Sequence, residues 1–276
     1  MSAGDADGAY AALGTLAERV ARAAGELARK GRARSTGVLG GATKSSPTDL
    51  VTEFDPAAER LIVAALREAR PDDAIIGEEG ADQAGTSGFA WHVDPIDGTT
   101  NFAYGLPDWS CSVGVTHDVG AGPVAVAGAV YVPVLDEMYT AVAGHGAACN
   151  GTPIRCSALA DVSLALVATG FGYRPATRTA QAHLLGHLIG RVRDVRRSGS
   201  AAIDLCRVAA GRVDVYYESA LNSWDITAGE LICREAGART SDWSGGPPGP
   251  AHLLAAAPGV HAEFAELLAR AAEGSR

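Results

Sequence analysis

Carboxylates gather at four turns of this chain, each where an apolar run meets a glycine, a proline or a helix start. Glu78 and Glu79 follow the apolar residues 74–76 in Gly77-Glu78-Glu79-Gly80, and Asp94 and Asp97 flank Pro95-Ile96. Asp49 and Asp55 bracket Leu50-Val51-Thr52, and Asp225 follows Trp224. Alone, each has an ordinary reading as a solvated turn, a helix N-cap or an Asp-Gly turn. Together they point to something sharper. The stretch Asp94-Pro95-Ile96-Asp97-Gly98-Thr99-Thr100-Asn101 sets two carboxylates three residues apart on a turn stiffened by Pro95, and Gly98 allows close backbone approach. A helix starting at Thr99 would turn free N–H groups toward an anion beside those carboxylates. Hard oxygen donors next to a phosphate cradle suit Mg²⁺, which keeps waters and bridges phosphate oxygens. The chemistry is metal-assisted work on a phosphate.

Positioning these groups falls to two unlike halves, residues 1–155 and 156–276. Leu13, Leu16, Val20, Ala24 and Leu27 recur at helical spacing, so residues 9–30 are expected as an amphipathic helix. Residues 31–47, rich in Gly, Ser and Arg, read as a mobile connection. Asp55-Pro56 reads as an N-cap followed by proline at N1 of a helix over 57–69, ended by Pro71. Strands are expected at 74–76 and 89–94, then at 110–116, 124–132 and 137–143 as an antiparallel meander. Asn150-Gly151 is a hairpin signal. Beyond it strands at 164–168, 192–196, 213–217 and 252–256 alternate with helices at 179–190, 200–210, 226–236 and 262–272. A meander followed by alternation predicts an α/β (α+β) fold with two sheets sandwiched between helices.

Composition narrows the partners. The 276 residues carry 23 basic and 32 acidic side chains, a formal charge of −9, which excludes a phosphate-backbone binder of nucleic acid and an anionic membrane surface. Five widely spaced cysteines without a C-x-x-C pair argue for free thiols in a reducing compartment. No apolar stretch is long enough to span a bilayer, and no secretory h-region opens the chain, so the protein is expected in the cytoplasm. Three other motifs lead nowhere. Gly40-Gly41-Ala42-Thr43-Lys44-Ser45 lacks the glycine before lysine that a phosphate-binding loop needs, His183 and His187 lack a third zinc ligand, and no G-x-S-x-G elbow is present.

The chain resembles the inositol monophosphatase family of Mg²⁺-dependent phosphatases. The resemblance runs through Lys44-Ser45-Ser46-Pro47-Thr48-Asp49-Leu50-Val51-Thr52 with Asp55, Gly77-Glu78-Glu79, residues 91–102 from Trp91 through Asp94-Pro95-Ile96-Asp97-Gly98-Thr99 to Phe102, and Trp224-Asp225-Ile226-Thr227-Ala228-Gly229. It implies the layered α-β-α-β-α sandwich of that family and of fructose bisphosphatases, and two or three Mg²⁺ ions. Glu78, Asp94 and the Ile96 carbonyl match the ligands of one ion; Asp94, Asp97 and Asp225 match those of a second. Glu78, Thr99 and Asp55 match the groups that orient an attacking water activated by metal, with no covalent intermediate. The resemblance assigns the phosphate to Gly98 and Thr99 with Thr100 beside them, and the polyol to Asp97, Gly199, Ser200, Ala201, Glu218 and Asp225, with Lys44 and Glu79 in support. It implies a small phosphate monoester as partner, lithium sensitivity and a homodimer. Myo-inositol 1-phosphate leads as substrate; histidinol phosphate, fructose 1,6-bisphosphate, a 3′-phosphoadenylate nucleotide and an inactive binding scaffold are the alternatives. Thr227, where alanine is usual, and Ser200, where threonine is frequent, depart from the pattern.

Overall fold

The computed structural model describes residues 3–274. Helix α1 (Ala3–Arg32) is followed by a small hairpin of β1 (Ala42–Thr43) and β2 (Leu50–Val51), then by α2 (Phe54–Ala69). A seven-stranded sheet comes next: β3 (Ala74–Gly77), β4 (Phe89–Asp97), β5 (Ser110–Asp118), β6 (Pro123–Val132), β7 (Glu137–Val142), β8 (Ala147–Cys149) and β9 (Thr152–Pro153), with helix α3 (Thr99–Tyr104) between β4 and β5. Its strands lie in sequence order; β3 and β4 are parallel and every later pair is antiparallel. The rest of the chain alternates: β10 (Leu166–Thr169), α4 (Pro175–Leu188), β11 (Asp194–Arg196), α5 (Ala201–Ala209), β12 (Val215–Ser219), α6 (Ser223–Glu235), β13 (Arg239–Ser241), β14 (His252–Ala256) and α7 (Pro258–Gly274). These strands form a second sheet in the order β11-β10-β12-β14-β13, parallel across β11, β10 and β12, antiparallel beyond.

Side-chain alternation stacks the layers. Leu13, Ala17, Val20, Ala21 and Ala24 of α1 and Ala58, Ile62 and Leu66 of α2 pack on Trp91, Val93, Val113, Val115 and Tyr131 of the first sheet. The opposite face of that sheet sends Val130, Val132, Tyr139 and Ala141 against α5 and α6. The same middle core takes Tyr216, Leu253 and Ala255 from the second sheet, whose alternate residues Val215, Tyr217, Leu254 and Ala256 meet Leu184 and Leu188 of α4 and Phe264 and Leu268 of α7. Successive strand residues point to opposite faces, so one strand serves two cores. The order is helix, sheet, helix, sheet, helix, as the resemblance implies.

Four local expectations change. Residues 31–47 are not all connection: α1 runs to Arg32, and the β1–β2 hairpin presents Lys44 at its tip, where the Lys44 N–H donates to the Asp49 carbonyl at 2.9 Å. Asp55 is not an N-cap. Helix α2 begins one residue earlier, and the buried Asp55 carboxylate reaches back from inside the first turn to accept the Thr52 N–H and hydroxyl at 2.8 and 2.6 Å. Residues 95–98 are not a free turn, because β4 continues to Asp97 with a register shift against β5 between Asp94 and Asp97. Asp225 does not start α6 but is its third residue.

The contact between α6 and the first sheet is close because β6 carries glycine there. A Cβ on Gly128 would lie 2.9 Å from the Ala228 Cα and 3.1 Å from its Cβ. Gly128→Ala must therefore push the helix off the sheet. We predict a loss of about 1–3 kcal/mol in urea unfolding, and an unchanged midpoint would contradict this packing.

Candidate active site

Asp94 and Asp97 sit at the end of β4, and the bulge between them lets both side chains contribute to one cavity of about 500 Å³. Glu78, just past the parallel neighbour β3, and Asp225, in the first turn of α6, line the same cavity. So do Lys44, Ile96, Gly98, Thr99, Gly199, Ser200, Ala201 and Glu218. Side chains far apart in sequence thus meet at the mouth between the two sheets.

Each acid is held by its own neighbours. Asp94 accepts the Ile96 N–H at 3.0 Å. Asp97 accepts the Ser200 hydroxyl and the Ala202 N–H at 2.6 and 2.7 Å, which docks the start of α5 onto β4. Asp225 accepts the Asn222 N–H at 2.6 Å, closing the first turn of α6. Glu218 accepts the Tyr216 hydroxyl at 2.7 Å. Thr99 Oγ1 lies 3.0 Å from both Asp55 Oδ1 and the Ile96 carbonyl, two acceptors for one hydroxyl proton.

Two glycines let the walls close. Gly98, before α3, has φ +94°, and a Cβ there would lie 3.0 Å from the Asp108 carbonyl and 3.1 Å from that of Gly199. Gly199, with φ +99°, leaves room for the Arg197 guanidinium and the Asn101 amide. That amide donates to the Asp108 and Ser198 carbonyls at 2.6 and 2.7 Å and ties the two walls together.

The electrostatics are those of crowded, buried acid. Burial, then the charges of Glu78, Asp97 and Asp225, push Asp94 well above the carboxylate range. Asp225 is raised by burial and then by Asp97. Asp97 is pushed up to about 6, burial outweighing the bonds from Ser200 and Ala202, and Glu218 up to about 7 by burial. The one nearby ammonium, Lys44, lies 2.9 Å from Glu78 and also bonds Glu79. Burial pulls Lys44 down, but the two glutamates outweigh it and hold it protonated. Glu79 is itself raised to about 7, burial prevailing over Lys44.

Among the described residues no three acidic, histidine or cysteine side chains close into a ready-made metal cage. The donor set nevertheless fits a hard divalent cation: carboxylate oxygens and a backbone carbonyl, buried, mutually repelling, with an ammonium standing where positive charge is needed.

Not every expected residue reaches the cavity. Asp55, Glu79 and Thr100 are not among its lining residues: Asp55 acts from behind through Thr99, Glu79 through Lys44, and Thr100 lies along α3. Other lining residues went unread in the sequence, chiefly Arg174, Arg197 and Asp204. Asp204 is 2% exposed and raised to about 7 by burial. The one acid in the mostly apolar run Ala201–Ala209 is its available signal, one turn on from Ser200.

Comparison with known proteins agrees with this geometry. The family model described as "Inositol monophosphatase family" matches residues 10–276. An inositol-1-monophosphatase of Mycobacterium bovis is 43% identical over 282 residues, 96% of each chain. A protein named Nus factor SuhB from Pasteurella multocida is 42% identical over 254 residues, 90% of this chain and 92% of its own. The solved structure of Mycobacterium tuberculosis SuhB superposes with a TM-score of 0.79 at 42% identity, covering 95% of this chain and 97% of that one. The chain belongs to the inositol monophosphatase family, and with it to the phosphoric monoester hydrolases.

Proposed function

We propose that the chain hydrolyses a polyol phosphate monoester, foremost myo-inositol 1-phosphate, in a Mg²⁺-dependent reaction that passes through no covalent enzyme intermediate. The observation that carries this reading is the convergence of Glu78, Asp94, Asp97 and Asp225 on one cavity beside the start of α3. These four carboxylates and the Ile96 carbonyl are the donors for two or three Mg²⁺ ions. Bound magnesium supplies Lewis acidity, lowering the pKa of water and offsetting charge on the leaving oxygen.

The protein's own groups do the rest. Thr99 donates a hydrogen bond to Asp55 and keeps its oxygen lone pairs to orient the attacking water, together with Glu78 of the same cavity. The N–H groups of Gly98 and Thr99 face the phosphate. Glu218 uses one oxygen for Tyr216 and offers the other to a substrate hydroxyl, while Gly199, Ser200 and Ala201 form the polyol wall. Acids on the leaving-group side disfavour a second phosphate. Arg174 and Arg197 line the same cavity, however, and favour a second reading in which the substrate is a bisphosphate such as fructose 1,6-bisphosphate. The proposal places the enzyme in the cytoplasm as a homodimer. Five free thiols support a reducing compartment, and no described helix is long and apolar enough to cross a membrane.

A phosphate-release assay with myo-inositol 1-phosphate, histidinol phosphate, fructose 1,6-bisphosphate and a 3′-phosphoadenylate nucleotide separates the substrates. Myo-inositol 1-phosphate should be hydrolysed fastest, only with Mg²⁺, and Asp94→Asn should cut turnover by at least about a hundredfold in a folded protein. Turnover that survives chelation or the substitution would refute the metal assignment.

The raised acids also set a pH dependence. Between about pH 6.5 and 8, Glu218 and Asp204 hold protons in the metal-free fold that they have already lost in the unfolded chain, so stability falls as pH rises. His92 and His261, held down to about 4 by burial, are neutral in the fold and oppose the trend only at the low end of this window, where the unfolded imidazoles still bind protons. The melting temperature of metal-free protein should drop across this window, and Glu218→Gln should flatten the drop. A rise with pH would contradict the burial argument.

A further inference from the structure

We infer that His92 is a positioning residue: through Ser223 it holds the first turn of α6, and so Asp225, against the strand that carries Asp94. The inference rests on the proposed metal site.

His92 lies on β4 two residues before Asp94, on the same face, and is 7% exposed. Both ring nitrogens are engaged. Nδ1 lies 2.9 Å from Ser223 Oγ at the first position of α6, and Nε2 lies 3.1 Å from Thr116 Oγ1 on β5. Thr116 Oγ1 also lies 3.5 Å from the Ala90 carbonyl. A neutral ring donates through one nitrogen and accepts through the other, so it can bond both hydroxyls at once. One neutral imidazole thus joins β4, β5 and α6.

The surrounding contacts leave α6 little freedom. Opposite His92 on β5 stands Gly114, where a Cβ would lie 2.6 Å from Thr227 Cγ2 and 2.8 Å from the Ala228 nitrogen. Opposite Asp94 stands Ser112, whose hydroxyl donates to the Trp224 carbonyl at 3.3 Å. Thr227, the departure from the family pattern, donates to the Ser223 carbonyl at 2.7 Å and stiffens the turn that His92 grips.

The need for such a grip is geometric. Asp94 and Asp225 line one cavity from different elements, β4 and α6. A helix start free to swing would have to be drawn in before both carboxylates could reach one cation, which weakens binding. The hook through Ser223 keeps the two carboxylates preset. Outer-shell partners of metal ligands typically carry about 10–100-fold in affinity, and a residue acting one bond further out belongs at the lower end of that range.

The test is Mn²⁺ binding to substrate-free protein, followed by calorimetry and by electron paramagnetic resonance, alongside melting temperatures. His92→Val should weaken binding about tenfold. Ser223→Ala, which keeps the buried ring and removes only the hook, should weaken it by about three- to tenfold. His92→Gln, whose amide can both donate and accept, should recover all but about threefold. Variants that melt earlier yet bind Mn²⁺ like the wild type would overturn the inference and leave His92 a packing residue. Wild-type protein that binds no Mn²⁺ would refute the metal reading itself, and the role of His92 with it.

Discussion

Like charges packed together out of water dominate this molecule. Asp94 and Asp97 are 2% and 9% exposed, and Glu78, Asp225 and Glu218 share their cavity. Removing several carboxylates from water into one site costs far more than any single hydrogen bond returns. The chain answers by making Asp94, Asp225 and Glu218 hold protons, by drawing the Lys44 ammonium between Glu78 and Glu79, and by satisfying the remaining oxygens with backbone and hydroxyl donors. Protonation relieves the repulsion only while those acids stay neutral. The buried cluster is a standing demand for positive charge, and a small cation can meet it.

The layered architecture serves that demand directly. Helices α5 and α6 fill the space between the two sheets and both start at the cavity, one capped by Ser200, the other by Asn222. Their N-terminal ends carry partial positive charge and unpaired N–H groups, so the helices themselves offset part of the acid they face. Asp97 takes this help through the Ala202 N–H, and Asp225 lies within the first turn of α6. Of the outer helices, α2 reaches the site through the Asp55 carboxylate behind Thr99, and α4 lines the cavity with Thr177. As a group they bury the far faces of the sheets and so fix where β4 and β12 end, which decides where Asp97 and Glu218 stand.

Much of this was legible in the sequence, for identifiable reasons. The long helices and the meander carry apolar residues at regular spacing, and Leu13 through Ala24 are buried as that spacing demands. The acids of the site were legible because they stand at turns rather than on solvated helix faces. What escaped depended on contacts between distant residues. The β1–β2 hairpin is two residues per strand in a Gly- and Ser-rich run, too short for any period to register. Strand β13 exists only because β14 lies beside it. Asp55 has every local mark of a helix cap, and only the approach of Thr99 from α3 gives it a second use. Asp204 and His92 look like ordinary residues until the second sheet and α6 close over them.

Proton release on metal binding tests the central claim most directly. Calorimetric titration of Mg²⁺ into substrate-free protein near pH 6.5, repeated in buffers of different ionisation enthalpy, counts the protons expelled. Acids held protonated by burial and by one another's charge must give up those protons to coordinate a cation, so the account predicts about one or more protons released per ion bound. Binding without proton release, or no binding, would contradict it.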